Sequence, residues 1–142
     1  PDKIEAGTVA DDILCLSDLL ATCAAIVGAE LPDNAAEDSF NMLPALLNEP
    51  RGTSLRQAIV HHSVDGMFSI REERWKLILG VGSGGFSEPK RVIPGPGEPQ
   101  GQLYDMETDF AETINLWNTH PEIVERLTAL LAQYQQTVRS RP

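Results

Sequence analysis

The sequence predicts an α+β fold: a small antiparallel sheet of about four strands, packed by a C-terminal helix and preceded by another helix. Residues 67–71 and 75–79 flank a short charged link, a pattern typical of a β-hairpin. Leu103 and Tyr104 begin a further short strand. Near both ends of the chain, apolar residues recur at three- and four-residue spacing, which indicates amphipathic helices.

The first helix is expected from about Ala10 to Val27. Its two acidic residues, Asp11 and Asp12, would lie in the first turn, where the helix dipole favours negative charge. Gly28 is suited to end the helix in a left-handed conformation. The residues expected on the buried stripe are Ile13, Leu16, Leu20, Cys23, Ala24 and Val27.

The two cysteines, Cys15 and Cys23, lie in this helical pattern and are eight residues apart. That spacing is roughly 12 Å along a helix axis, too far for a disulfide within one straight helix. Cys23 is expected to be a small buried hydrophobe, with Cys15 off the stripe. Neither has a second ligand at a spacing that suggests a metal site.

The middle of the chain is turn-rich between residues 29 and 53. Asp38 is expected to cap a short helix, whose apolar side would contain Phe40, Leu43, Leu46 and Leu47. The run from Arg56 to Ser63 predicts a strand that ends on His61-His62-Ser63, before a turn at Asp65-Gly66.

The C-terminal helix is expected from about Pro121 to Arg139. Proline suits the first helical position, and Glu122 and Glu125 lie near the positive end of the dipole. The expected buried stripe contains Ile123, Leu127, Leu130, Leu131, Tyr134 and Val138. This helix is assigned to packing.

Charge and hydropathy exclude several classes of function. The chain has 21 acidic and 11 basic residues, a formal net charge of -10 that repels nucleic-acid phosphates. No apolar run approaches the ~18 residues that span a bilayer. We therefore expect neither a nucleic-acid partner nor a membrane span.

Two other motifs receive plain structural interpretations. The run Gly80-Val81-Gly82-Ser83-Gly84-Gly85 is read as a mobile loop that lines an entrance, because no Lys-Ser/Thr or helix pattern follows it as in phosphate loops. The acidic run from Asp105 to Glu112 lacks the glycine and distal glutamate of a calcium loop, so a solvated turn is expected, with Asp105 accepting hydrogen bonds from backbone amides.

Three segments resemble the C-terminal end of the sulfatase family of the alkaline phosphatase superfamily, especially its bacterial arylsulfatase-like members. One is Gln102–Leu116 with the following His120-Pro121-Glu122, another is Gly66–Arg71 with Trp75–Ile78, and the last is Ser17–Thr22. Phe110 and Ala21 stand where proline is common in the family.

The resemblance implies that residues 1–53 come from the edge of an α/β catalytic domain and residues 54–142 form the C-terminal α+β subdomain. The family uses calcium and a formylglycine made from the first residue of a Cys/Ser-x-Pro-x-Arg motif, and both sites are expected upstream of Pro1. No catalytic or metal-binding residue is therefore assigned, and the fragment alone is expected to be inactive. The family likeness also implies a periplasmic or secreted protein whose signal segment is not in this chain.

The resemblance also implies that the substrate pocket forms between the two domains, beside the Val-x-His-Ser segment. Here that segment gives His62 as the first candidate to bind substrate, followed by His61 and Ser63. Alternate side chains of a strand point to opposite faces, so the two histidines are expected on opposite sides of the sheet. The implied partners are the upstream catalytic domain and a sulfated small molecule or carbohydrate.

A stand-alone binding module, or a piece that packs on a separately encoded domain, remains an alternative. The opening helix discriminates between them. If the sheet does not cover its apolar face, that face should form an exposed patch, whereas an independent module should bury it.

Overall fold

The computed structural model describes residues 2–141, in which three helices and one four-stranded sheet are formed. In chain order the elements are α1 (Leu19–Val27), α2 (Leu43–Leu46), β1 (Ala58–His62), β2 (Phe68–Glu72), β3 (Trp75–Ile78), β4 (Gln102–Asp105) and α3 (Pro121–Thr137). The strands lie in the order β1-β2-β3-β4, and all three pairs are antiparallel. The predicted α+β fold class is confirmed.

The chain divides into two compact units. One comprises Pro1–Gln57 together with Tyr134–Pro142, and the other comprises Ala58–Gln133. The sequence analysis placed one boundary after residue 53 and did not predict that Tyr134–Pro142 belong to the first unit. Assignment of the first unit to the edge of a catalytic domain stays a prediction.

The core of the second unit is a row of apolar side chains across the sheet. Ile70 lies opposite Leu77, and Leu77 lies opposite Leu103. All three are fully buried. Each fully buried large aliphatic side chain contributes roughly 1.5–3 kcal/mol, so this row fixes both the stability and the register of the sheet.

Helix α3 lies on the sheet face that carries this row. Leu127 and Leu131 are buried, Arg126 forms an ion pair with Glu72 of β2, and the rings of His120 and Trp75 are 5.3 Å apart. The predicted packing helix is confirmed. Val138 was placed on its buried stripe, and that was wrong, because the helix ends at Thr137 and Val138 is exposed with φ 55°.

The hairpin and its strands agree with the sequence prediction. β2 and β3 pair from Ser69 opposite Ile78 to Glu72 opposite Trp75, which leaves Glu73 and Arg74 as a two-residue loop. Glu73 adopts φ 48°, as the tight turn requires of one residue.

The opening helix is shorter than predicted, and its buried face is different. A 3₁₀ turn over Leu16–Asp18 leads into α1, and Gly28 ends α1 in the expected left-handed conformation with φ 69°. The predicted stripe is confirmed at Ala24 but wrong at four other positions, which are exposed, and the buried face is made of small and polar residues. The exposed side chains are Leu16, Leu20, Cys23 and Val27, and the buried ones are Asp18, Ala21, Thr22 and Ala24.

The buried carboxylate of Asp18 explains this rotation of the helix. Asp18 accepts hydrogen bonds from the backbone amides of Cys15 and Phe40 at 2.8 and 3.0 Å, and it lies 3.1 Å from the guanidinium of Arg56. Arg56 is itself buried and stacks over the Phe40 ring at 4.5 Å. A buried charge must be paired and hydrogen-bonded, so this network turns Asp18 inward and the leucines outward.

Asp38 does not cap the short helix α2. Its carboxylate accepts hydrogen bonds from the amide and hydroxyl of Ser140 at 2.9 and 2.8 Å, while α2 begins several residues later at Leu43. Asp38 therefore anchors the end of the chain to the first unit. A sequence pattern cannot reveal a partner that lies so far away along the chain.

We predict that Leu77→Ala destabilises the second unit by about 2–5 kcal/mol, because it removes a buried side chain from the middle of the row. Chemical denaturation of the full protein, followed through its tryptophan fluorescence, measures the loss. Ile93→Ala is the matched control, since Ile93 is 95% exposed. Equal effects of the two substitutions would contradict the assigned core.

Candidate functional site

Strand β1 ends on the two histidines, which its register places on opposite faces of the sheet. His62 pairs with Phe68 and His61 with Ser69. His62 is exposed, and its ring makes an edge-on contact with the Phe68 ring at 5.9 Å. Its Nδ1 lies 2.8 Å from the carbonyl oxygen of Ser63.

This contact decides which ring nitrogen of His62 is available to a ligand. A carbonyl oxygen only accepts hydrogen bonds, so Nδ1 carries the proton and donates it to Ser63. In the neutral imidazole Nε2 is then an acceptor, suited to a hydroxyl group. In the imidazolium form Nε2 becomes a donor, suited to an anionic oxygen.

His61 lies on the other face, among a polar group of side chains. Lys76 forms an ion pair with Glu112 at 2.6 Å, and the hydroxyl of the buried Tyr104 donates to Gln102 at 2.8 Å. Loss of hydration, with a smaller effect of the Lys76 charge, lowers the pKa of His61. The environment therefore favours the neutral form of this histidine.

Ser63 holds the turn between β1 and β2. Its hydroxyl oxygen accepts from the Met67 amide at 3.1 Å, and its own amide donates to the Met67 carbonyl at 2.9 Å. The structure thus brings His62 and Ser63 together at one strand end and places His61 on the opposite face. Binding of substrate by these three residues stays a prediction.

The glycine-rich loop that follows β3 is held by several hydrogen bonds, and its mobility stays a prediction. Ser83 and Gly84 donate their amides to the carbonyls of Pro89 and Lys90 at 2.9 and 2.7 Å. The amide of Gly85 donates to the Ser83 hydroxyl at 3.2 Å. Because these three amides are already bonded, they are not free to bind an anion.

Gly84 joins this loop to the Ser63 turn. A Cβ atom built on Gly84 would lie 2.6 Å from the Ser63 hydroxyl oxygen, closer than real Cβ contacts allow, and its φ is 59°. The Gly84 carbonyl accepts from the Asp65 amide at 3.1 Å, and Arg91 donates to the Asp65 carbonyl. Only glycine allows the loop to approach the strand end that carries His62 so closely.

The acidic segment after β4 is a hydrogen-bonded turn, as predicted. Asp105 accepts from Arg74 Nε at 2.8 Å, from the Thr108 hydroxyl at 2.9 Å and from the Glu107 amide at 3.1 Å. The Arg74 guanidinium, assisted by these other donors, holds the pKa of Asp105 well below its usual range. Asp105 therefore stabilises the turn in its ionised form.

Asp109 and Asn115 fix the rest of the segment. Asp109 accepts from the amides of Ile114 and Thr113, both at 2.8 Å, and these bonds lower its pKa. Asn115 bridges to β4, because its side-chain oxygen accepts from the Leu103 amide and its nitrogen donates to Gly101, both at 3.0 Å. The segment is built as scaffold.

One expectation about catalysis needs correction. The Cys/Ser-x-Pro-x-Arg spacing was placed wholly upstream of this chain, yet Ser87-Glu88-Pro89-Lys90-Arg91 matches it literally. All five residues are exposed on the glycine loop. There the Ser83 hydroxyl donates a hydrogen bond to the Ser87 carbonyl, and the Arg91 guanidinium donates one to the Asp65 carbonyl. We assign no nucleophile to Ser87, because the five residues lie on an exposed, hydrogen-bonded part of the loop.

Within residues 2–141, no group of three or more His, Cys, Asp or Glu side chains is arranged to hold a metal ion. The carboxylates of Asp105 and Asp109 are committed to the turn. No helix among the same residues is long and apolar enough to cross a membrane.

The sequence interpretation did not consider Phe86 of the loop after β3. It follows the glycine run directly, and its side chain is 92% exposed. Its position directly after a glycine-rich segment was the sequence feature that predicts an exposed side chain.

We predict that Asp105→Asn destabilises the protein at neutral pH and that this difference shrinks in acid. The folded state lowers the pKa of Asp105, so its stabilisation is present above the unfolded value of about 3.9 and is lost as pH falls below it. Thermal unfolding of both proteins between about pH 7 and pH 3 measures the effect.

Glu107→Gln is the control for this experiment. Glu107 also pairs with Arg74, at 2.8 Å, but its side chain is exposed, so a small and weakly pH-dependent change is expected. A constant stability difference between wild type and Asp105→Asn across the pH range would refute the assigned role.

Comparison with known proteins identifies similar chains in two organisms. N-acetylgalactosamine-6-O-sulfatase of Bacteroides thetaiotaomicron is 31% identical over 114 residues, which cover 80% of this chain and 22% of that protein. Arylsulfatase A of Bos taurus is 29% identical over 159 aligned positions, covering 100% of this chain and 31% of that protein. No protein-family model matches the chain.

A solved structure shares the fold. It is a protein in complex with its substrate, D-glucosamine-2-N,6-O-disulfate, with a TM-score of 0.69 and 24% identity over 96% of this chain and 26% of that one. The chain thus spans less than a third of the length of each curated relative. Sequence and fold together place it with the sulfatases, as a C-terminal portion of that family.

Proposed function

We propose that the protein containing this chain hydrolyses sulfate esters, of sugars or of aryl alcohols, and that this chain supplies scaffold and part of the substrate pocket. The observation that carries the proposal is the similarity to an N-acetylgalactosamine-6-O-sulfatase over 80% of the chain. We place the pocket contribution at the His61-His62-Ser63 strand end because of its resemblance to the Val-x-His-Ser segment of related sulfatases.

The exposed apolar face of the first unit supports a role as part of a larger protein. Its members are large aliphatic residues of the opening segment: Leu14, Leu16, Leu19, Leu20, Ile26 and Val27. A group of large apolar side chains exposed within one short segment is typical of a protein interface. We propose that the upstream catalytic domain of the same protein covers it, which disfavours the alternative of a stand-alone binding module.

The chemistry of His62 suits a sulfated sugar. With Nδ1 held by the Ser63 carbonyl, the neutral ring offers Nε2 to a sugar hydroxyl, and the protonated ring offers an N–H to a sulfate oxygen. His62 is proposed as the first contact. His61 has a secondary role, because it lies with its polar neighbours on the face of the sheet opposite His62.

Calcium and the formylglycine nucleophile are proposed to reside in the upstream domain. The described part of this chain offers no metal-binding group, and its one literal match to the nucleophile motif lies in an exposed scaffold loop. The fragment alone is therefore proposed to be inactive. By family likeness, we propose a periplasmic or secreted location for the whole protein.

The proposed activity predicts that the longer gene product hydrolyses 4-nitrophenyl sulfate or N-acetylgalactosamine 6-sulfate in the presence of calcium. The 142-residue chain should not hydrolyse either substrate, because it lacks the proposed reactive groups. Release of 4-nitrophenol or of inorganic sulfate measures both activities. Hydrolysis by the short chain, or none by the long one, would overturn the proposal.

For the substrate contact, we predict that His62→Ala raises KM for the sulfated sugar by roughly tenfold, the loss of about one hydrogen bond to a polar group. The substitution should leave thermal stability nearly unchanged, because the side chain is exposed. Steady-state kinetics of the longer product measure the effect.

Two variants serve as controls. Ser87→Ala should retain full activity. Loss of activity in this variant would contradict the assignment of the nucleophile to the upstream domain. His120→Ala removes a histidine that contacts Trp75 on the helix side, so it should affect stability and leave KM unchanged. An unchanged KM in His62→Ala would remove His62 from the pocket.

A further inference from the structure

We propose that a cleft in the first unit binds a small organic anion, a carboxylate with a compact apolar body. The cleft is formed by helix α1, the segment that follows it and the end of the chain. Its volume is about 310 Å³, at the lower end of the range for small-molecule sites. Every described residue that lines it belongs to the first unit, so the inference is independent of the His62 strand end and of the proposed hydrolase activity.

The apolar part of the cleft is made of small side chains on α1 and two larger ones after it. The residues are Ala21, Ala24, Ala25, Leu31 and Phe40. Ala21 and Ala24 are buried, so packing fixes this wall, and their short side chains leave the space beside it open. Such a wall favours an apolar group, because removing apolar surface from water is favourable.

The polar part of the cleft contains the guanidinium of Arg141, which the fold holds in place. The backbone amide of Arg141 donates to the Glu37 carbonyl at 3.0 Å, and its Nη2 donates to the Ala35 carbonyl at 3.2 Å. Its Nε is buried and has no hydrogen-bond partner among residues 2–141. A buried donor without a partner is unfavourable, so this N–H is the group that a bound acceptor would satisfy.

Two further polar residues line the cleft, and each has a hydrogen left to donate. The Ser39 hydroxyl oxygen accepts from the Ala21 amide at 2.9 Å, which leaves its own proton for an acceptor. The Asn41 oxygen accepts from the Leu43 amide at 3.0 Å, which leaves its amide nitrogen. The polar groups of the cleft are therefore donors.

The charges around the cleft favour a negative ligand. No Asp or Glu is among the described residues that line it. The carboxylates close by in the chain are bonded to other groups, since Asp18 pairs with Arg56 at 3.1 Å and Asp38 accepts from the amide and hydroxyl of Ser140. A carboxylate accepts charge-assisted hydrogen bonds from a guanidinium, so an organic carboxylate matches both the donors and the apolar wall.

Calorimetric titration of the longer gene product with benzoate tests the site. Benzoate joins a carboxylate to a compact apolar ring, benzamide has the same shape without the charge, and acetate has the charge with little apolar body. We expect saturable binding of benzoate and at least about tenfold weaker binding of the other two compounds. Equal affinities for benzoate and benzamide, or no saturable binding of benzoate, would overturn the proposal.

Two variants assign the binding to the cleft. Arg141→Gln removes the charge and should raise the Kd for benzoate about tenfold. Ala25→Leu fills the apolar side at a half-buried helix position, where leucine is a good helix former, and should abolish binding. Lys90→Gln is the matched control, because it removes one positive charge from an exposed residue of another unit and should leave the Kd unchanged.

A crystal structure of the benzoate complex gives a readout that does not depend on the variants. The carboxylate should lie within hydrogen-bonding distance of Arg141 Nε. Benzoate bound only elsewhere, or an Arg141→Gln variant that binds as tightly as wild type, would show that the inference is wrong.

The 142-residue chain distinguishes a free ligand from a carboxylate side chain of the upstream domain. Binding of benzoate by both the short chain and the longer product supports a free ligand. Binding by the short chain alone would mean that the upstream domain fills the cleft, which overturns the proposal of a free anion.

Discussion

The register of the four strands is the constraint on which the rest of the structure depends. Ile70, Leu77 and Leu103 occupy one buried row, and a shift of any strand by one residue would move its apolar side chains to the opposite face. The same register decides that His62 lies on the helix-covered face and His61 on the polar one. Both histidines are exposed at the strand end, so the register determines the face of the sheet on which each one is available.

Two kinds of close contact extend that constraint to the loops. Asp105 and Asn115 use charged and amide side chains to tie the segment after β4 to its neighbours. On the other side, Gly84 allows the long loop to rest directly on Ser63. The segment after β4 and the glycine-rich loop after β3 are consequently both held in place by specific contacts.

The parts of the fold that depend on local pattern could be predicted from the sequence, and those that depend on distant partners could not. The hairpin, the C-terminal helix and the Asp105 turn all arise from spacing within a few residues. The opening helix failed because amphipathic spacing assumes that the leucine face is buried within the chain. Here a buried Asp18 pairs with Arg56, far away in sequence, and leaves Leu16 and Leu20 exposed.

Hydrogen–deuterium exchange of the longer gene product, with and without N-acetylgalactosamine 6-sulfate, tests the central claim most directly. The claim is that this chain forms one wall of the substrate pocket through the His62 strand end and the glycine loop. The account predicts slower exchange on binding in residues 62–66 and 82–88, with α3 unchanged. Binding that protects only segments outside this chain would contradict it.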